Sequence, residues 1–171
     1  MKRIIKDRRI VGDDCRHLGA DDVLQTGATI TLPLERWLAE RPALENHAGR
    51  VGVRLQGTDD LSTIVPYLAE LELIVLEFPK FTDGRCYSHA RLLRDRYGYR
   101  RELRAIGDVL RDQLYFMARC GINAFELSKD SDLDAALQGF NEFSVQYQAA
   151  ADHRRPVYHI RHSSKNSALG G

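Results

Sequence analysis

Residues 72–127, ELIVLEFPKFTDGRCYSHARLLRDRYGYRRELRAIGDVLRDQLYFMARCGINAFEL, hold three strand-like apolar runs separated by two stretches with helical spacing. The first run, Leu73 to Leu76, is continuously apolar, as a strand covered on both faces should be. The second starts near Leu103 (LRAIG) and the third near Ala124 (AFEL). Upstream, two more runs begin near Thr29 (TITLPL) and Val51 (VGVRL), each again followed by helical spacing. Strands alternating with helices imply right-handed βαβ crossovers and a mainly parallel sheet. The reading is an α/β fold of about five βα units. A flavodoxin-like open sheet and an incomplete TIM-like barrel both satisfy the pattern. The first 14 residues, with Ile4, Ile5, Ile10 and Val11 as apolar positions, read as a short N-terminal hairpin turning at Lys6-Asp7.

The stretch after Gly107 predicts a helix capped by Asp108, whose carboxylate would take up amide hydrogens of the first turn. Leu110, Leu114 and Met117 make its apolar face, with Asp108, Asp112, Tyr115 and Arg119 as a polar stripe opposite. Gly121 closes it, and Asn123 leads into the next strand.

The chain has 171 residues, 43% of them apolar and 29% charged, which suits one folded domain large enough to form its own core. Residues 1–150 are assigned to that domain and 151–171 to a basic, partly disordered tail. The 25 basic and 24 acidic residues leave a formal +1, so no global field favours nucleic acid or an anionic membrane. Cys15, Cys86 and Cys120 show neither zinc-ligand nor iron–sulfur spacing, and their scatter favours a reducing compartment. No secretory h-region and no membrane-length apolar run is found, so the expectation is a cytoplasmic protein.

Ligands of parallel sheets bind beyond the carboxyl ends of the strands. That rule points to the loop Glu77 to Arg85, to Gly107-Asp108 with Arg111-Asp112, and to Glu126 and Ser128. Lys80, Thr82, Asp83, Arg85 and Ser88, joined by Asp108, Arg111 and Asp112, form the candidate ligand or partner site. One reading is an anion cradle at the start of the helix near Arg85. The other is a turn shaped by Pro79 and Gly84, with Lys80 or Arg85 paired to Asp108 or Asp112. His89, near this loop, is a candidate acid or base. Between Arg85 and Arg104 stand seven arginines and two acids, a local +5 that reads as a solvated face or a docking surface for an acidic partner. Cys120 reads as a packed thiol or a reactive one. His153, His159 and His162 follow no metal-ligand spacing. No dinucleotide, P-loop or nucleophile-elbow motif is present, so no cofactor is announced.

The block LEFPKFTDGRCYSHARLLRDRYGYRRELRAIGDVLRDQLYFMARCGINAFEL, from Leu76, closely resembles the bacterial domain of unknown function 934 family, and the likeness extends from the hairpin to FSVQYQ near Gln148. The family's recurrent motifs fall on Glu77 to Arg85, Tyr87 and Ser88, and on Gly107, Asp108, Arg111, Asp112 and Gln113. At Cys86 the family usually has a small residue such as Gly, which argues against a shared redox thiol. Members are commonly labelled oxidoreductases of sulfite reduction, without an established catalytic residue. The resemblance therefore implies an accessory protein or oxidoreductase of assimilatory sulfate and sulfite reduction, acting with sulfite reductase or another reductase of that pathway on a sulfur oxyanion. A non-catalytic adaptor docking a reductase through the Arg-rich surface is the alternative.

Overall fold

Along the central strands apolar residues recur at every second position or run without a break, and each of the five runs read from sequence forms a strand of one sheet. The computed structural model describes residues 1–80, 83–129 and 131–152. Eight strands form one sheet: β1 (Lys2–Lys6), β2 (Arg9–Asp13), β3 (Arg16–His17), β4 (Ile30–Pro33), β5 (Val51–Leu55), β6 (Leu73–Phe78), β7 (Glu102–Gly107) and β8 (Ala124–Phe125). Their spatial order is β2-β1-β8-β7-β6-β5-β4-β3. Strands β3 to β8 are parallel to one another. The N-terminal hairpin is antiparallel and adds to the sheet through β1 against β8, with Ile5 opposite Phe125. Its tight turn places Asp7 and Arg8 at φ 48° and 61°, the left-handed pair a two-residue hairpin turn requires.

Four α-helices follow strands: α1 (Leu34–Leu44), α2 (Arg85–Arg91), α3 (Leu114–Arg119) and α4 (Leu133–Asp152). The crossover from β5 to β6 departs from the expected five βα units, because it carries two 3₁₀ turns, Leu61–Thr63 and Val65–Tyr67, in place of an α-helix. Local chemistry explains it. Asp60 caps the first turn by accepting from the Ser62 amide, the β-branched run Thr63-Ile64-Val65 resists helix, and Pro66 removes the next amide donor. The helix expected at Asp108 begins later. Leu110 is extended (φ −96°, ψ 146°), a 3₁₀ turn covers Arg111–Gln113, and α3 starts at Leu114. Asp108 is therefore not its cap: its amide donates to the Phe78 carbonyl at 2.7 Å. Leu110, placed before the helix, is 44% exposed, and Val109 takes its place in the core. Leu114 and Met117 are buried as predicted, and Gly121 closes the turn at φ 104°.

The two faces of the sheet differ in chemistry. Ile74, Leu76, Phe78, Leu103, Ala105 and Phe125 pack outward against Trp37, Leu93, Leu114, Met117 and Phe140 in the main core. The other face carries a small apolar cluster, Cys15, Leu73, Val75 and Ile106, amid charged residues. That second face is concave. Five strand spacings separate β3 from β8, about 24 Å in a flat sheet, yet His17 Nε2 lies 2.9 Å from Glu126 Oε2. Only a sheet curled around this face, with the stagger that barrel closure needs, brings the two together. Asp14 and Cys15 alone link the outer strands β2 and β3.

Among the described residues no helix is long and apolar enough to cross a membrane. The tail assignment, with His153, His159 and His162, lies outside the described residues from 153 onward.

Candidate functional site

Register decides which side chains share the concave face. Arg54 stands opposite Val75, Val75 opposite Arg104, Arg104 opposite Ala124, and Ala124 opposite Lys6; stepping by two along the strands adds Lys2, Glu77, Glu102 and Glu126. The floor is an ion network around Arg104, which is 2% exposed. Its Nη1 and Nη2 donate to the two oxygens of Asp13 at 2.9 Å each, while Nε and Nη2 donate to Glu102 Oε1 at 2.9 and 2.6 Å. Glu102 Oε2 accepts from Lys6 Nζ at 2.7 Å and Arg50 Nη2 at 3.3 Å. Burial alone would raise the Glu102 carboxyl; Arg104 and Lys6 outweigh it and hold the group below its ordinary range. Above this floor a cavity of about 570 Å³ is lined by Lys6, Arg9, Asp13, Arg50, Glu102 and Arg104, among others.

Toward the carboxyl ends of the parallel strands the network opens to solvent. Glu126 follows the last residue of β8, its amide donating to the Ala105 carbonyl at 3.0 Å. Glu126 Oε2 accepts from both Lys2 Nζ and His17 Nε2, each at 2.9 Å. Burial would raise this carboxyl, yet the hydrogen bonds from His17 and Lys2 bring it down to about 2. An ionised carboxylate only accepts, so His17 Nε2 carries a hydrogen. His17 Nδ1 then faces Thr31 Oγ1 at 2.7 Å. A hydroxyl both donates and accepts, so this contact survives whether the ring is neutral or charged. Beside them, Arg54 Nη2 donates to the Leu18 carbonyl at 3.1 Å, and Arg54 Nε pairs with Glu77 at 3.6 Å. Gln56 Nε2 donates to the same Glu77 carboxylate at 3.1 Å. The mouth thus holds three basic side chains, Lys2, His17 and Arg54, each facing an internal carboxylate.

The loops singled out by sequence rise at this same end of the sheet, on its rim. Arg85 is committed to Asp83: Nε and Nη2 donate to its two oxygens at 3.0 and 2.9 Å, and the Arg85 amide adds a third bond at 3.2 Å. The pair rests on Gly57, where a Cβ would come within 2.7 Å of Arg85 Cβ. Arg111 lies 3.9 Å from Asp112, both well exposed. Arg85 and Arg111 each pair with an acid close by in sequence, Asp83 and Asp112. Lys80 and Ser88 are exposed, and Thr82 lies outside the described residues. What joins the two rims is aromatic: Tyr87 packs between Phe78 and Phe116, ring centroids 5.1 and 5.0 Å away.

His89 is not presented to the loop. It is 9% exposed, its Nε2–H donates to the Gly57 carbonyl at 3.2 Å, and its buried Nδ1 has no partner among the described residues; burial pushes its pKa down, keeping it neutral. The Arg-rich segment also turns partly inward. Arg94 donates to the carbonyls of Gly121, Tyr99 and Arg101 and to Asn123 Oδ1, and Arg104 forms the buried floor. The +5 counted in sequence is therefore not all surface charge.

All three cysteines are buried. Burial pushes the Cys15 thiol up to about 11 and Cys86 up to about 12. Neither forms thiolate at neutral pH, so neither is a nucleophile there. Titration of the native protein with a thiol reagent at pH 7.5 is expected to consume less than one equivalent in minutes, rising to three after denaturation; rapid reaction of a native thiol contradicts this.

Lys2, His17 and Thr31 escaped the sequence reading, because β3 is two residues long and the hairpin was read only for its apolar positions. The available signal was the i, i+2 spacing of charge in Glu102–Arg104 and the i, i+4 spacing of Lys2 and Lys6, both of which put charge on one strand face. A bacterial family described as proteins of unknown function (DUF934) matches residues 52–158, a span containing Arg54, Glu77 and Glu126 but not Lys2, His17 or Thr31. No curated protein matches the sequence.

Proposed function

The chain belongs to the DUF934 family of bacterial proteins, and from that membership we propose that it is an accessory protein of sulfite reduction that holds a sulfur oxyanion at the carboxyl-end mouth of its sheet. The observation that carries the site is the convergence of Lys2 Nζ and His17 Nε2 on one carboxylate oxygen at 2.9 Å each. Two donors aimed at a single point 2.9 Å away fit any oxyanion oxygen as well as they fit a carboxylate. Arg54, bonded to the carbonyl next to His17, supplies a third donor group of the planar type suited to oxyanions. The place agrees with the general rule for parallel sheets, whose ligands sit outside the strands' carboxyl ends. Sulfur is supported by the label that accompanies the resemblance of the Leu76 to Leu127 block. Reduction itself would need an electron donor, and the protein's part in this proposal is to bind and present the anion to a partner reductase.

Calorimetric titration with sulfite and sulfate tests the site. Lys2→Ala and His17→Ala are expected to weaken binding tenfold or more, while Lys80→Ala, exposed on the rim loop, changes it less than twofold. Affinity retained in both inner-face variants overturns the mouth as the site. For the pathway, a deletion strain should grow on cysteine but poorly on sulfate and sulfite; equal growth on all three sources removes the sulfur assignment.

A further inference from the structure

Glu126 occupies the point where the proposed oxyanion would sit, and its surroundings are arranged so that it can leave. Lys2 has a second carboxylate, Asp13, at 3.3 Å and the Cys15 carbonyl at 3.5 Å. His17 keeps its bond to Thr31 on the other ring nitrogen. Neither donor loses all its partners when the Glu126 side chain swings away. Among the described residues the side chain is held through one oxygen, Oε2; it stands one residue past the end of β8 and is 22% exposed. Water is therefore within its reach, whereas the carboxylates of Asp13 and Glu102, 8% and 3% exposed, are fixed by Arg104.

We propose that Glu126 is the resident counterion of the anion site, an internal carboxylate that a sulfur oxyanion displaces from Lys2 and His17 on binding. This rests on the reading that the mouth holds an oxyanion. A carboxylate presents two oxygens, and the bound geometry uses one. A pyramidal or tetrahedral oxyanion presents three or four, so one can replace Glu126 Oε2 while another turns toward Arg54. Through the exchange Lys2, His17 and Arg54 keep an anionic partner, while the displaced carboxylate carries its charge into water. Glu126 also sets selectivity: a halide is a single centre that cannot bridge Lys2 and His17 to Arg54, so it gains less than an oxyanion does from displacing the carboxylate. Because the carboxylate is ionised at every pH above its lowered range, it competes throughout the physiological span, and removing its charge increases affinity.

The full chain carrying Glu126→Gln is titrated with sulfite, sulfate and chloride beside the wild type, with melting curves recorded for both. The expected result is tenfold or greater tightening for sulfite, little change for chloride, and loss of the gain in the Lys2→Ala, Glu126→Gln double variant. Equal or weaker sulfite binding by a folded Glu126→Gln protein overturns the counterion role. If at the same time Lys2→Ala weakens the wild type, the oxyanion site itself stands. If neither wild type nor Glu126→Gln binds sulfite, both readings fall. Should Glu126→Gln not fold, the carboxyl carbon resonance of Glu126 in labelled wild type gives the answer. Sulfite is expected to move that resonance and to raise the pH at which it titrates; an unmoved signal at saturation overturns the proposal.

Discussion

Replacing Arg104 with Ala is expected to lower the unfolding midpoint by about 10 °C, the equivalent of about 3–5 kcal/mol for a protein of this size. The guanidinium is 2% exposed and answers two carboxylates that are themselves 8% and 3% exposed. Removing it leaves Asp13 with Lys2 at 3.3 Å and Glu102 with Lys6 and Arg50, both short of donors in a low-dielectric setting where an unpaired charge is costly. The loss does not measure the worth of the network, because burying the three charged groups was itself expensive. A triple change, Asp13→Asn, Glu102→Gln and Arg104→Met, removes the charges together and is expected to recover at least half of the lost stability. Denaturant or thermal melts of both proteins decide it. A single variant within 1 kcal/mol of wild type would mean that the two carboxylates are solvated in solution.

Gly107→Ala is the second large effect, expected at about 3–5 kcal/mol from a forbidden conformation and a backbone collision combined. Gly107 closes β7 at φ 93°, a region closed to side chains with a Cβ. The added methyl would also strike the Phe78 carbonyl oxygen, the acceptor of the Asp108 amide. Relief requires the ends of β6 and β7 to part, which disturbs both rims of the mouth at once. The variant should therefore lose stability and sulfite affinity together, whereas Gly98→Ala, also at positive φ but with open space around it, should cost about 1 kcal/mol. Similar melting of the two variants would show that the approach to Phe78 is not the cause.

The central strands β4 to β8 were legible because their outer-facing residues, among them Ile30, Leu32, Val53, Leu55, Ile74, Leu76, Leu103 and Phe125, are apolar. Runs read from Thr29, Val51, Glu72, Leu103 and Ala124 appear as strands starting at Ile30, Val51, Leu73, Glu102 and Ala124. The missing α-helix after β5 was harder to read, since Asp60, the β-branched run and Pro66 act through local backbone preferences within an otherwise apolar stretch. At the site, strand-end reasoning pointed to the end of the sheet where the oxyanion is proposed to bind and reached Glu77 and Glu126. It then followed the loops outward, to Lys80, Asp83 and Arg85, when the convergent groups lie on the inner face. That face was hidden because its closure depends on curvature, and no spacing in the chain states that His17 and Glu126 meet. Arg94 and Arg104 were counted as a surface run for the same reason: adjacency in sequence says nothing of which carbonyls and carboxylates will receive them.

The place of the hairpin strand beside β8 has a consequence for how the molecule is made. Asn123 is bound to Asp7 across 116 residues, Asn123 Nδ2 donating to Asp7 Oδ1 at 3.0 Å and the Asp7 amide returning to the Asn123 carbonyl at 2.9 Å. At about 5–20 residues per second on the ribosome, the first strand emerges on the order of ten seconds before its neighbour exists. During that interval the edge of β1, with Ile4 and Ile5 side by side, has no strand to cover it. Closure of the sheet is thus a late event of long sequence separation, and the nascent chain passes through a stage in which a holding chaperone has a defined edge to protect.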